Sequence, residues 1–262
     1  MSAREHFAAG RLAAAIEAQL QEVRAAPLDA GKRTFLFQLL AFSGELERAS
    51  QQLTVLCQET AERGWGATVY QNLLAAEQVR RKVFAGQARP EVFIDPPPFF
   101  ATRWDAVEQS ARGNAAAAAA ALAKSDAEAP VVRGALNEQP VDGLRDADDL
   151  LAPILEVMVL RDYVWVPWSQ VCELEIEAPA HPRDLIWAPA RLVLTDGEQR
   201  NAYLPALYPG THAAKDEMLK LGRLTDWLVP DGDGPVRGVG QHLLVAGDTD
   251  LGLLEARTFV AS

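Results

Sequence analysis

The spacing of apolar residues changes halfway along the chain. Up to about residue 130, apolar side chains recur every three or four positions among Ala, Leu, Gln and Glu, which are good helix formers. After that point, β-branched and aromatic residues form short runs broken by Pro, Gly and Asp, which is typical of strands and turns. The pattern predicts an α+β protein, with an all-α domain at residues 1–130 and a β-rich domain at residues 131–262.

Glycines divide the helical half into a partial repeat. Gly10 and Gly44 lie 34 residues apart, and Gly113 follows Gly44 by 69 residues, close to twice that period. A period of 34 residues with a glycine turn is typical of tetratricopeptide-like helical hairpins. Residues 67–86 instead read as one unbroken helix, and the prolines at 96–98 exclude helix from the connector that follows. We therefore predict a degenerate array of tetratricopeptide-like hairpins, with a generic helical bundle as the alternative.

The second half contains several runs with strand character. Asp196 and Gly197 lie between two alternating apolar runs and are a strong signal for a two-residue hairpin. Short helices are predicted between strands, at about 148–158 and 213–220. The predicted fold is a mainly antiparallel β domain with one or two short helices packed on it. The predicted strands cover residues 163–168, 171–178, 190–208 and 236–247.

The net charge of the chain limits the class of its partners. The sequence has a formal net charge of −11. Nucleic acids and anionic membranes select basic surfaces, so neither is expected as a partner, and a neutral or basic protein fits better. The two cysteines, Cys57 and Cys172, lie far apart and predict neither a disulfide framework nor a zinc site. The sequence shows no secretory signal and no apolar run of membrane-spanning length, so we expect a cytoplasmic protein.

Three aspartates, Asp146, Asp148 and Asp149, stand just ahead of an apolar run in GLRDADDLLAPILEV, residues 143–157. Acidic residues are favoured in the first turn of a helix, because its free N–H groups attract negative charge. A metal site would need further ligands, and a general acid would need a partner group. We therefore predict a helix start here, with a divalent-metal-dependent enzyme as the alternative. The histidines are dispersed and no nucleophile stands with a base, so neither catalytic residues nor a cofactor are predicted.

Several motifs occur in the same order as in a known family. They are RTFLFQLLAFSGELERASQQL, LRDADDLLAPILEV, PRDLIWAPARLVLTDGE, AYLPALYPGT, LGRLTDW and GVGQ, between about residues 33 and 242. Together they resemble the ImpE family, also called TagJ or SciE-type proteins, which are accessory proteins of bacterial type VI secretion. The resemblance implies a non-enzymatic cytoplasmic adaptor that binds the amino-terminal helix of the small sheath subunit, the TssB-type protein. It also implies a link to the ClpV-type ATPase that disassembles the contracted sheath.

Similarity to the tetratricopeptide repeat also predicts where a partner helix binds. If Gly44 is the turn of a hairpin, its first helix turns four side chains toward a concave groove: Thr34, Phe35, Gln38 and Phe42. Three others would face the core: Leu36, Phe37 and Leu40. Phe35 and Phe42 are the predicted anchors for the apolar stripe of the partner, with Gln38 between them and Trp65 and Trp104 as neighbours. The alternative is that these aromatic side chains are buried between hairpins.

Overall fold

Helices form the first half of the chain. The computed structural model describes residues 1–57, 61–230, 232, 234–247 and 249–262, and at residues 61–65 it describes the backbone alone. The helices are α1 (Ala3–Ala8), α2 (Leu12–Ala25), α3 (Ala30–Phe42), α4 (Leu46–Cys57), α5 (Ala61–Phe84), α6 (Phe99–Ala111) and α7 (Ala115–Glu128). Helices α1 and α2, α3 and α4, and α6 and α7 form three hairpins, and α5 is a single long helix between the second and the third.

A glycine makes the turn of each hairpin. Gly10, Gly44 and Gly113 have φ values of +76°, +78° and +77°, a region in which a residue with a Cβ is strained. At Gly44, the Gly44 amide donates to the Ala41 carbonyl and the next amide donates to the Leu40 carbonyl, which closes the end of α3. The predicted glycine turns and the unbroken helix after the second hairpin are both confirmed.

Antiparallel strands form most of the second half. The strands are β1 (Arg133–Leu136), β2 (Gln139–Asp142), β3 (Arg145–Asp146), β4 (Ile154–Val159), β5 (Asp162–Pro167), β6 (Val171–Ile176), β7 (Trp187–Leu194), β8 (Gln199–Pro205), β9 (Thr225–Leu228), β10 (Arg237–Gly240), β11 (Leu243–Ala246), β12 (Thr249–Gly252) and β13 (Thr258–Ala261). Eight of them form one sheet in the order β2-β1-β13-β6-β7-β8-β4-β5. Two smaller sheets contain β10-β9 and β12-β11-β3. The predicted α+β class is confirmed.

Two details of the β half match the sequence closely, and a third differs in extent. Asp196 and Gly197 join β7 to β8, with Gly197 at a φ of +80°. A short helix, α8 (Glu217–Lys220), falls in the segment predicted at 213–220. The run predicted as one strand at 236–247 is two strands, β10 and β11, which pair in different sheets.

The helix predicted at 148–158 is wrong. The segment forms turns as far as Pro153 and then the strand β4, which pairs with β5. Asp146 accepts a hydrogen bond from the Asp148 amide at 2.7 Å, and Asp148 accepts one from the Leu150 amide at 2.9 Å. Such local bonds between side chain and backbone compete with helix, and Pro153 cannot donate to a helical ladder.

The proline-rich connector between α5 and α6 covers one edge of the large sheet. The Glu91 amide donates to the Tyr163 carbonyl at 2.9 Å, and the Trp165 amide donates to the Glu91 carbonyl at 3.0 Å. These bonds satisfy backbone groups of β5, the last strand at that edge. The connector therefore protects an edge that could otherwise pair with another chain.

The two halves share a hydrophobic core. Helix α7 ends at Glu128 and β1 begins at Arg133, close to the predicted boundary. One cluster of buried residues contains side chains from all the helical hairpins together with Tyr163, Trp165 and Trp187 from the strands. The division into two domains stays a prediction. In the described part of the chain, no helix is long and apolar enough to cross a membrane.

Candidate functional site

The three aspartates are held by protein donors that point to different parts of the fold. Asp146 accepts hydrogen bonds from His242 Nδ1 at 2.7 Å and from the Tyr208 hydroxyl at 3.0 Å. Asp148 is fully buried and accepts from Arg237 Nε and from the Gly238 amide, both at 2.8 Å. The remaining carboxylate, at residue 149, accepts from the amide of residue 236 at 2.6 Å. The trio thus joins the segment around β3 to β10 and β11, about 90 residues later in the chain.

The arrangement around these aspartates does not resemble a metal site. Among the residues that the structure describes, no group of three or more His, Cys, Asp or Glu side chains is placed to hold a metal ion. Calcium and magnesium sites need several oxygen ligands that converge on one point. The carboxylates of this trio instead satisfy amides and basic side chains of the fold.

A buried polar cluster lies where α5 meets the large sheet. Arg80 donates to Glu156 from Nε at 2.6 Å and from Nη2 at 2.8 Å, and Nη2 also donates to the Leu207 carbonyl. His242 Nε2 lies 3.1 Å from Glu156, and the Tyr163 hydroxyl donates to the same carboxylate. All four polar side chains are buried. This cluster fixes the helical half to the β half by charge-assisted hydrogen bonds.

The polar cluster has the residue types of an acid/base site but no room for a substrate. A cavity of about 10 Å³ adjoins Asp146, Glu156 and His242, which is enough for about one water molecule. Burial raises the pKa of Glu156, but Arg80 and His242 hold it well below its usual range. The sequence analysis missed this cluster. The signal was Glu156 itself, a carboxylate inside the apolar run PILEVMV.

Protonation of His242 is expected to make stability depend on pH. Burial lowers the pKa of His242. The carboxylates of Asp146 and Glu156 raise it by more than burial lowers it, so the pKa is about 9. The unfolded value is about 6.5, so the folded state binds the proton more tightly. The stabilisation is therefore complete below pH 6.5 and is lost as the pH rises through about 9. We expect a loss on the order of 3 kcal/mol in the free energy of unfolding across that range.

Urea unfolding at pH 6, 7.5 and 9.5 measures this dependence. The His242→Gln variant is the control, because it keeps hydrogen-bonding groups but cannot titrate in this range. Its free energy of unfolding should change less with pH than that of the wild type. An equally steep pH dependence in the variant would assign the effect to another group.

The predicted anchor residues of the partner site are buried. Phe35, Gln38 and Phe42 are 3%, 4% and 1% exposed, so they do not line an open groove in this structure. The physical reason is the first hairpin: α1 lies over them, and the Phe7 ring centroid is 5.8 Å from those of both Phe35 and Phe42. Their role as anchors of a partner helix stays a prediction.

The two predicted tryptophans do not add to an open surface either. Trp104 is buried, and its ring packs against Trp165 at a centroid distance of 6.0 Å, at the boundary between helices and sheet. The side chain of Trp65 lies outside the described residues. The alternative, burial between hairpins, fits Phe35 and Phe42, which pack against α1, whereas Trp104 is buried against the sheet.

An open groove lies on another face of α3, between α3, α4 and α5. It has a volume of about 340 Å³. Its walls are mostly apolar or small: Ala30, Gly31, Thr34, Phe37, Leu53, Leu56, Gly66, Ala67, Tyr70 and Arg183. Thr34 lines this groove, and Phe37, which is 1% exposed and lies in the core as expected, borders it. We call this surface the α3–α5 groove.

Gly66 leaves the α3–α5 groove open on the α5 side. A Cβ added at Gly66 would meet no atom of the described residues within 4 Å. Its φ is not positive, and it lies inside a 24-residue helix, where glycine is less stable than alanine by roughly 0.5–1 kcal/mol. The fold of the described residues does not require a glycine at this position, so its effect is to leave free space in the groove.

In the described part of the chain, Arg183 is the one charged residue that lines the groove. It comes from the β half, in a short 3-10 helix (Pro182–Leu185). Its Nε donates to the Tyr70 hydroxyl, and its guanidinium lies 4.8 Å from the centre of the Tyr70 ring. Burial raises the pKa of Tyr70 to about 12, so its hydroxyl stays protonated at neutral pH.

A larger cavity of about 420 Å³ lies at the junction between the end of α7 and β3. Its walls include the charged side chains of Asp126, Arg145 and Asp149. Asp126 is already paired with the buried Arg103, which also donates to the Asp149 carbonyl. This cavity is a mixed polar recess rather than a slot between helices, so it suits a partner helix less well than the α3–α5 groove.

Known proteins resemble this chain in both sequence and structure. The family described as ImpE protein matches residues 138–260. The type VI secretion system accessory component TagJ of Pseudomonas aeruginosa is 40% identical over 253 residues, which cover 96% of this chain and 88% of that protein. A crystal structure of the protein VPA1032 from Vibrio parahaemolyticus superposes with a TM-score of 0.91 over 99% of this chain and 97% of that one. At 21% identity, that superposition supports the fold alone.

Proposed function

Because the chain belongs to the ImpE family, we propose that it is a non-enzymatic accessory protein of bacterial type VI secretion. Its relative TagJ carries that description. In the proposed role, the protein acts in the cytoplasm as an adaptor and binds the amino-terminal helix of the TssB-type small sheath subunit. The adaptor then works with the ClpV-type ATPase when the contracted sheath is disassembled. The sheath contact and the link to the ATPase rest on the family resemblance.

The α3–α5 groove is the observation that carries the proposed binding. An amphipathic helix binds a protein by laying an apolar stripe into a hydrophobic groove between helices. The buried side chains of Phe37, Leu53 and Leu56 border this groove, and its volume of about 340 Å³ lies within the usual range of ligand pockets. Gly66 and Gly31 leave room for the backbone of a second helix to come close. A helical segment of a partner is therefore the ligand class that fits.

The buried polar groups support an adaptor rather than an enzyme. Arg80, Glu156 and His242 are the residues best suited to acid/base chemistry, and the cavity beside them has a volume of about 10 Å³. A substrate could not reach them without separating α5 from the sheet. The alternative, a metal-dependent enzyme that uses Asp146, Asp148 and Asp149, would need these carboxylates to give up their present donors.

Site-specific photocrosslinking tests the proposal in cells that contain assembled sheaths. A photoreactive phenylalanine analogue placed at Thr34, in the α3–α5 groove, is expected to form a covalent adduct with the small sheath subunit. The matched control carries the same analogue at Leu224, an exposed apolar residue just ahead of β9. An adduct from the control position and none from Thr34 would move the partner site to the β half.

A further inference from the structure

We propose that Arg183 selects a partner helix that carries a carboxylate beside its apolar stripe. This inference rests on the proposed function, because it assumes that a helix occupies the α3–α5 groove. It adds the chemistry by which the groove accepts one helix and rejects another.

Among the residues that the structure describes, Arg183 is the one charged side chain that lines the groove. The other lining residues are aliphatic, aromatic, glycine or hydroxyl side chains. The side chain of Arg183 is 22% exposed, so a helix seated beside it would remove much of its remaining contact with water. A buried guanidinium without an acceptor is costly, whereas a carboxylate can pair with it through two parallel hydrogen bonds.

Arg183 is held in place before any partner binds. Its Nε donates to the Tyr70 hydroxyl, and its Cζ lies over the Tyr70 ring, 4.8 Å from the ring centre. The Asp184 carboxylate accepts hydrogen bonds from the amides of Ala180 at 3.0 Å and His181 at 2.8 Å, which fixes the turn that carries Arg183. Less ordering of the arginine is then needed when a ligand binds.

The end of this guanidinium carries the N–H donors that a ligand would use. In the described part of the chain, neither Nη1 nor Nη2 of Arg183 makes a hydrogen bond to the protein. Asp184 Oδ1 lies 3.8 Å from Nε, which is too long for a hydrogen bond, so it offsets the charge only in part. A fork of N–H donors at the rim of an apolar groove matches the geometry of a carboxylate.

Arg183 would therefore discriminate between partner helices in two ways, by attracting one kind and by excluding the other. A helix with Asp or Glu next to its apolar stripe gains a bidentate pair, and a helix with an apolar or basic residue there buries an unpaired charge. The pair also fixes the register of the helix along the groove. Lysine at position 183 would keep the charge but lose the planar fork and its contact with the Tyr70 ring.

A peptide series tests this inference. Synthetic peptides of the amino-terminal helix of the small sheath subunit are titrated against the full-length protein, with each Asp or Glu replaced in turn by Asn or Gln. One replacement is expected to weaken binding to the wild type by about tenfold or more. The same replacement should have no further effect on the Arg183→Gln variant, and Arg183→Lys should restore only part of the affinity.

Two controls separate this role from a structural one. Arg191→Gln removes an arginine of β7 that pairs with the exposed Glu175, and it should leave the affinity unchanged. Thermal unfolding of each variant shows whether the fold is intact. If Arg183→Gln weakens every peptide equally, Arg183 acts through packing and the inference is overturned. If the wild type binds the helix but no carboxylate replacement weakens that binding, the inference about Arg183 fails and the proposed function stands. If the wild type does not bind the helix, the proposed function fails with it.

Discussion

Replacing Arg80 by methionine is expected to lower the free energy of unfolding by about 3–5 kcal/mol. Arg80 is buried and supplies two hydrogen bonds to Glu156 and one to the Leu207 carbonyl. Without it, Glu156 keeps only the Tyr163 hydroxyl and His242 as partners. Removing one member of a buried ion pair costs more stability than replacing both members by apolar side chains, because the other charge stays buried. Urea unfolding followed by circular dichroism measures the change.

The matched control is Arg48→Met, which removes an arginine from an exposed pair with Glu45 on the helical surface. Exposed pairs contribute about 0–1 kcal/mol, so this variant should unfold close to the wild type. The double variant Arg80→Met with Glu156→Leu should recover part of the lost stability, because Glu156 no longer leaves a buried carboxylate without Arg80. The recovery is incomplete because Glu77 has still lost Arg80 and His242 has lost Glu156. A loss of less than about 1 kcal/mol in Arg80→Met would contradict the view that this cluster joins the two halves.

The helical array could be predicted because its signals are local. The glycine turns at Gly10, Gly44 and Gly113 each need a positive φ, and a glycine is visible in the sequence whatever surrounds it. The same holds for Asp196 and Gly197 between two alternating runs. Helix propensity, turn chemistry and apolar spacing agree in these segments, so tertiary contacts only had to reinforce them.

The aspartate segment could not be predicted because distant residues determine its structure. Seen alone, Asp146, Asp148 and Asp149 before an apolar run indicate a helix start. In the fold, the first two carboxylates bind His242 and Arg237, about 90 residues away. Only those partners, together with strand pairing of β4, show that the apolar run is a strand. A prediction from the local pattern fails where an ion pair with a distant residue determines the backbone conformation.

Which face of α3 is covered and which is open could not be predicted for a related reason. The apolar spacing shows that nearly every side chain from Phe35 to Phe42 is suited to burial, and all eight are in fact buried. Which face borders the open groove depends on where α1 lies, and α1 has only six residues. It covers Phe35 and Phe42 and leaves Thr34 and Phe37 beside the groove. The sequence also did not predict Arg183 as a groove residue, because this side chain reaches the groove from the other half of the chain.

Replacing Gly66 by leucine is expected to stabilise the fold and to abolish most partner binding. The variant should gain about 0.5–1 kcal/mol in the free energy of unfolding, because leucine favours helix over glycine and meets no described atom at the Cβ position. The new side chain would occupy the α3–α5 groove. Inserting such a group into a packed contact costs about 1–3 kcal/mol, so the affinity for a partner helix should fall by at least about tenfold.

Gly66→Leu is expected to raise the stability of the fold and to lower the affinity for the partner helix, and these opposite effects make the variant informative. Most substitutions that weaken binding also weaken the fold, and the two causes are then difficult to separate. Ala117→Leu on α7 is the matched control, because it adds the same side chain at an exposed helical position outside the groove. It should change neither the affinity for the partner helix nor the stability by more than about 0.5 kcal/mol.

Calorimetric titration of a peptide from the amino-terminal helix of the TssB-type sheath subunit, into the wild type and into Gly66→Leu, tests the central claim most directly. Binding to the wild type and to Ala117→Leu, with at least a tenfold loss in a Gly66→Leu protein of equal or higher stability, is the predicted result. Unchanged affinity in the folded Gly66→Leu protein would contradict the assignment of the α3–α5 groove as the partner site.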